Sequence, residues 1–270
     1  MNKTTIATLA ALGTASAQPA LAEEINETLD AAPDGHVEVS NISGSVDVLG
    51  WSRDSVEVTG ELGKNVEELI FEREGDRVTV KVKVPKKSGR NVSTDLVIRV
   101  PEMSSLDVGT VSADIDVEGV LGEQRLHTVS GDVEAEIGSA DCSFESVSGD
   151  VEVEGSREDS DVYGSSVSGD VIFFRVAGEV KAETVTGDMV IDEGSFDRAS
   201  LETVNGEILF QSELRKGGRL NVESVNGDID IELTGDVSAE FDLSSFNGRI
   251  DNCFGPAAKR TSKYAPGWAT

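Results

Sequence analysis

Val129-Ser130-Gly131-Asp132 recurs along the chain as Val147-Ser148-Gly149-Asp150, Val167-Ser168-Gly169-Asp170 and Val185-Thr186-Gly187-Asp188. It then returns in altered form as Val204-Asn205-Gly206-Glu207, Val225-Asn226-Gly227-Asp228 and Phe246-Asn247-Gly248-Arg249. A degenerate copy, Val111-Ser112-Ala113-Asp114, precedes the series, and Ile42-Ser43-Gly44-Ser45 stands alone upstream. Between central residues, from Ala113 to Gly248, the steps are 18, 18, 20, 18, 19, 21 and 21 residues. So steady a period means one structural unit per repeat, with the slack taken up in loops.

After each word the chain alternates. Val133, Ala135 and Ile137 share one face of a strand, while Asp132, Glu134 and Glu136 share the other, which is the period of a half-buried β-strand. Gly-Asp and Asn-Gly are turn formers, so each repeat reads as strand, tight corner, strand and loop. Hairpins and a stacked coil both fit that description. Residue columns favour the coil: the corner position reads Ser112, Ser130, Ser148, Ser168, Thr186, Asn205, Asn226 and Asn247. Two positions earlier stand Thr110, Thr128, Ser146, Ser166, Thr184, Thr203, Ser224 and Ser245. Stacked small polar side chains can hydrogen-bond along a ladder only if repeats lie in register on one another. The expected fold is all-β, a parallel β-helix (β-solenoid) of about 18–21 residues per coil, with coils about 4.8 Å apart.

Composition fits a narrow core. Aromatic residues make up 5% of the 270 and there are 28 glycines, so Val, Ile and Leu must fill the interior. One stretch, Lys64 to Phe71, is compatible with a short helix.

Residues 1–22 read as a signal peptide, with Lys3, an apolar run from Ile6 to Ala17 and an Ala20-Leu21-Ala22 cleavage site. The run is too short to span a bilayer. The expected location is therefore outside the cytoplasm, in the periplasm or at the cell surface. Cys142 and Cys253 lie about five coils, on the order of 24 Å, apart, against a disulfide limit near 7 Å between Cα atoms; they are expected not to pair.

In chain order, 23–35 is expected to be a flexible leader and 36–104 an irregular, strand-rich part covering the lower end of the solenoid. Within it, Leu69 to Arg73 and Arg77 to Val84 read as a hairpin. Regular repeats are expected over 105–252 and a tail over 253–270.

The signal segment, the Ile42-Ser43-Gly44-Ser45 start, the run of Val-Ser-Gly-Asp and Val-Asn-Gly-Asp words and the ending Phe246-Asn247-Gly248 with Ile250-Asp251-Asn252 together resemble DUF4097, a bacterial family of adhesin-like proteins. The resemblance covers nearly all of the chain after residue 22. It implies an envelope β-solenoid and supplies no catalytic residues. Similar proteins continue past Tyr264-Ala265-Pro266-Gly267 into another coil. The chain's end at Thr270 carries the expectation of an uncapped last coil and a Cys253 without a partner.

Chemistry finds little purchase. The only histidines are His36 and His127, without the ligand spacing of a zinc site; His127 is expected to face solvent beside Gln124. No phosphate loop, dinucleotide fingerprint or nucleophile elbow is present. Asp114-Ile115-Asp116-Val117-Glu118-Gly119 opens like a calcium loop, but Arg125 stands where the closing Glu is required. What remains is an acidic column after the corner: Asp114, Asp132, Asp150, Asp170, Asp188, Glu207 and Asp228. Charges stacked about 4.8 Å apart repel by roughly 0.9 kcal/mol per neighbour in water, so the column is either a hydrated edge or a collector of cations.

The formal charge of −28 disfavours nucleic acid and anionic membranes as partners. The expected function is non-enzymatic: a structural or binding protein of the cell envelope, without cofactor, whose partner is another envelope protein or a surface ligand. Two alternatives stand beside it, a carbohydrate-active enzyme on the same scaffold and a solenoid that self-associates end to end.

Overall fold

Period-two burial runs through the computed structural model, which describes residues 23–85, 92–235, 240, 242–245, 249–253, 259–260 and 268–269. In β5 (Arg77–Lys83) Val78, Val80 and Val82 are buried between exposed or half-buried neighbours. The same alternation shapes β2 (His36–Trp51), β6 (Thr94–Pro101) and β7 (Ser105–Glu118). Each of these runs is rich in Val and Ile, whose branched side chains fit a pleated, half-buried surface.

These strands and their successors form a parallel β-solenoid. The successors are β8 (Gln124–His127), β9 (Val133–Ile137), β10 (Cys142–Ser146), β11 (Val151–Gly155), β12 (Asp159–Ser168), β13 (Val171–Phe174), β14 (Ala177–Thr186), β15 (Met189–Asn205), β16 (Ile208–Asn226) and β17 (Ile229–Thr234). Two parallel ladders make its two faces. The first runs through the start of β2 and of β7, then β8, β10, β12, β14 and the second halves of β15 and β16. The second takes the ends of β2 and β7, then β9, β11, β13, the first halves of β15 and β16, and β17. The repeat word is the corner where the chain passes from one ladder to the other.

Between the ladders lies a thin apolar core in which Phe144, Phe173, Phe196 and Phe210 are fully buried. Burying one such side chain is worth about 1.5–3 kcal/mol, but so narrow a core leaves no room for two large residues at one level. Gly164 faces Phe173, and a Cβ added there would lie 2.5 Å from the ring. Phe196 in β15 and Phe210 in β16 belong to successive coils and pack tilted against each other, with centroids 5.8 Å apart and planes at 46°.

The lower end is built out of chain order. The lone upstream word forms the first corner: Ser43 stacks under Ser112 and Gly44 under Ala113. Beneath β2 lie β5 and β6, both parallel to it. Antiparallel strands close this end, β3 (Ser55–Leu62) and β1 (Glu23–Asp30) beyond β6, and β4 (Glu68–Glu74) beyond β5. The β4–β5 hairpin matches its expected position.

Two local expectations are corrected. Residues 23–30 are not a flexible leader but strand β1, paired with β3 from Glu23↔Leu62 to Asp30↔Ser55, with Ile25 buried against the core. The stretch from Lys64 to Phe71 is not helical. Glu68 begins β4, because Leu69 and Phe71 gain packing against the core as one face of a hairpin.

At the upper end the described parallel ladder stops at β17. Ser245, placed by its sequence in the next coil, instead pairs antiparallel with Trp268. The strands are β18 (Ser244–Ser245) and β20 (Trp268–Ala269), and β20 also holds β19 (Lys259–Arg260). The corner residue Asn247, with Phe246 and Gly248, lies outside the described residues, as does the signal segment 1–22.

Candidate functional site

The repeat word locks coil to coil, and each of its positions has a separate task. A Cβ on Gly149 would sit 2.0 Å from the carbonyl oxygen of Gly131; on Gly169, 2.1 Å from that of Gly149; on Gly187, 2.1 Å from that of Gly169. At these three positions glycine is required because successive backbones approach too closely for any side chain, whereas Gly44, Gly206 and Gly227 combine the same approach with a positive φ of 115°, 158° and 142°. The carbonyls so exposed are used by the hydroxyls three residues before the next glycine. Ser146 Oγ donates to Gly131 O at 3.1 Å, Ser166 to Gly149 O at 2.9 Å and Thr184 to Gly169 O at 3.0 Å. This inner column is buried; it bonds mainly to backbone, with one side-chain rung, Thr110 to Thr128 at 2.8 Å. Thr203 and Ser224 leave this pattern, and their hydroxyls have no partner among the described residues.

The corner column itself faces solvent. Ser112, Ser130, Ser148, Ser168, Thr186, Asn205 and Asn226 are exposed, and a side-chain rung forms where serine gives way to asparagine: Asn226 Nδ2 donates to Asn205 Oδ1 at 3.1 Å. Beside it the valines of the word form an outward rib, Val111, Val129, Val147, Val167, Val185, Val204 and Val225, each at least 40% exposed.

The acidic column is a hydrogen-bonded structure. Asp114 Oδ1 accepts the backbone N–H of Asp132 at 3.1 Å, Asp132 that of Asp150 at 2.9 Å and Asp150 that of Asp170 at 2.8 Å. Asp170 then accepts from Asp188, and Asp188 from Glu207, both at 2.7 Å. One carboxylate oxygen per coil thus satisfies the corner amide above it, and these charge-assisted bonds offset the repulsion along the column. Asp228 lies exposed in the last coil of the described ladder. Among the described residues no group of three or more His, Cys, Asp or Glu is arranged to hold a metal ion.

Other expected residues fall into place locally. His127 is exposed over Gly109, but Gln124 is not beside it in solvent: it points inward, fully buried, and its amide donates to Val120 O at 2.9 Å and Glu136 O at 2.8 Å. Strand alternation puts residues 124 and 127 on opposite faces. His36 Nδ1 lies 3.0 Å from Ser105 Oγ. Both cysteines are free thiols, Cys142 buried and Cys253 exposed; burial pushes the Cys142 thiol up to about 11.

The outward face of the second ladder carries a feature that alternation alone did not disclose. Its in-register column reads Asp47, Asp116, Glu134, Glu152, then Ile172, Val190 and Leu209, then Asp230. Acidic crowding in its lower part raises Asp116 above the ordinary aspartate range, burial contributing most, followed by Glu134, Glu118, Asp47 and Glu136. Over three coils the column then turns apolar and half-buried, and Phe174 extends the patch in the next outward position, in register with Asp192. The sequence signal was the unbroken run Val171-Ile172-Phe173-Phe174, where alternation lapses.

Past Asp192 the surface dips into an open groove of about 520 Å³ lined by Arg157, Asp192, Glu193, Ser195, Gln211 and Glu213 among others. Arg157, Arg175 and Glu193 turn the corner there with positive φ of 67°, 56° and 52°. Gly119, which like Arg175 and Glu193 stands six residues past its coil's corner, has φ 66°. An L-residue in this region costs about 1–2 kcal/mol relative to glycine. Arg157 pairs with Glu193 at 2.5 Å, Arg175 pairs with Glu154, and Arg215 bridges Asp159 at 2.5 Å and Asp197 at 3.0 Å.

The family model that matches the chain is Toastrack DUF4097, over residues 36–265. The chain belongs to the Toastrack DUF4097 family. Solved structures with a similar fold include a "putative adhesin" from Bacteroides fragilis, 15% identical with a TM-score of 0.48, covering 77% of this chain and 97% of that one. A "putative lipid binding protein" from Parabacteroides distasonis is 14% identical with a TM-score of 0.46, covering 77% and 96%. A "putative adhesin" from Parabacteroides merdae is 10% identical with a TM-score of 0.38, covering 77% and 96%. No curated protein matches the chain. Among the described residues no helix is long and apolar enough to cross a membrane.

Proposed function

We propose that this Toastrack DUF4097 protein is an exported, non-enzymatic binding protein of the cell envelope, a rigid rod whose outward faces engage a surface ligand or another envelope component. One observation carries the reading: the word repeated in each coil is absorbed by coil stacking, through the glycine approach, the inner hydroxyls and the aspartate-to-amide bonds. What varies from coil to coil, the outward faces, is what the fold leaves for recognition. Export is supported by the signal-like residues 1–22, with Lys3, the apolar run from Ile6 to Ala17 and Ala20-Leu21-Ala22. The test is to express the gene in its native host, fractionate the cells and sequence the N-terminus. A chain beginning at Glu23 in the periplasmic or surface fraction, retained on isolated envelope material, supports the reading; an uncleaved cytoplasmic chain, or one that ignores envelope material, refutes it.

A further inference from the structure

Resting on that reading, we infer that the surface where β13, β15 and β16 meet their corners is an oligosaccharide-binding site. The apolar patch of Ile172, Val190, Leu209 and Phe174 interrupts an otherwise acidic column and continues directly into the polar groove, since Phe174 is in register with Asp192 and Asp192 with Gln211. A pyranose ring presents matching chemistry, a C–H face for the patch and equatorial hydroxyls, each both donor and acceptor, for the groove. The groove volume of about 520 Å³ lies in the range of small-ligand sites.

Other ligand classes fit less well. An anion would meet Asp192, Glu193 and Glu213. A cation would compete for carboxylates that already have partners: Glu193 pairs with Arg157, Asp192 Oδ1 accepts the Glu193 N–H at 2.7 Å and Glu213 accepts from Ser195 Oγ at 3.4 Å. An extended peptide adding as a strand needs a free sheet edge, whereas Ile172, Val190 and Leu209 are on strands flanked on both sides by parallel neighbours. A neutral polyol needs none of these. The charged residues held at left-handed corners, where Gly119 shows that glycine would serve without strain, mark the same place independently; such strain persists where the side chain has a use.

The test is calorimetric titration of the full chain with maltohexaose, cellohexaose and chitohexaose, each to about 10 mM, with amide shifts mapped by NMR. Expected are binding by at least one of these, shifts confined to β13, β15, β16 and the groove residues beside them such as Arg157, and about a tenfold loss in Gln211→Ala and in Phe174→Ala. Glu134→Gln, on the same face but outside the site, leaves binding unchanged. Absence of binding by all three, or binding indifferent to Gln211→Ala and Phe174→Ala, overturns it. If the wild-type chain is retained on envelope material and these two variants are retained equally, the inference falls while the envelope-binding function stands.

Discussion

Asp150 Oδ1 accepts the backbone N–H of Asp170 at 2.8 Å, although the two side chains carry like charge and stack on adjacent coils. The bond turns a row of carboxylates from an electrostatic burden into a seam. Asp150→Ala leaves the Asp170 amide without its acceptor and is expected to cost about 1–2 kcal/mol. Asp150→Asn keeps the acceptor oxygen and removes repulsion, so it should be neutral or slightly stabilising. Urea unfolding distinguishes them; equal losses in both variants would mean that charge, not the hydrogen bond, matters at this position.

Glycines in the chain should fail for two different reasons. Gly169→Ala puts a methyl group 2.1 Å from the Gly149 carbonyl oxygen, and separating two stacked coils is expected to cost about 4 kcal/mol or more. Gly75→Ala meets nothing within 4 Å, but its φ is +64°, so the expected cost is about 1 kcal/mol. Thermal unfolding of the two variants should therefore separate them clearly.

Gly164 and Phe173 are expected to be coupled. Gly164→Ala collides with the Phe173 ring and should destabilise by about 1–3 kcal/mol. Adding Phe173→Leu should recover part of that loss, although Phe173→Leu alone destabilises by leaving space. A double-mutant cycle measures the coupling; additive losses would show that the core adjusts at this level.

Asp116 gives a pH dependence opposite to that of a salt-bridged carboxylate. Its folded value lies above the ordinary 3.8, through burial and its acidic neighbours, so the folded state binds the proton more tightly than the unfolded chain. Its contribution to stability therefore falls as pH rises through the interval just above 3.8 and is unfavourable at neutral pH. Asp116→Asn should stabilise the protein at pH 7, and the gain should disappear below the ordinary aspartate range. Denaturant midpoints measured across this range check the sign.

The thiols should differ in reactivity. With Cys142 buried and pushed up to about 11, and Cys253 exposed, a thiol reagent near neutral pH should label one cysteine per native chain and two after unfolding. Rapid labelling of both in the native state would mean that β10 opens readily.

The solenoid was legible because a small polar residue, Ser, Thr or Asn, recurs at each corner from 112 to 226 and because Val133-Glu134-Ala135-Glu136-Ile137 can alternate only as a strand. The stacking role of its letters was not. Glycine that avoids a carbonyl 2.0 Å away and glycine that enables a turn look alike in sequence, and Asp150 gives no sign that its partner is an amide one coil above. Strand β1 escaped notice because a single edge strand, with Ile25 as its buried anchor, has too few apolar residues to show a period. The reversed build order at the base, with β5 and β6 below β2, depends on long-range pairing that no local pattern encodes. The Phe174 and Asp192 surface was missed because its residues come from three coils and converge only on stacking.

Amide hydrogen exchange at the corners tests the central claim, that the acidic column is a structural seam, most directly. The N–H groups of Asp132, Asp150, Asp170, Asp188 and Glu207 should be protected together in the wild-type chain, without any added divalent cation. Asp150→Ala should accelerate exchange at Asp170 by at least about tenfold, matching the loss of roughly 1.4 kcal/mol. Unprotected corner amides in the wild type, or protection that appears only when calcium is added, would contradict it.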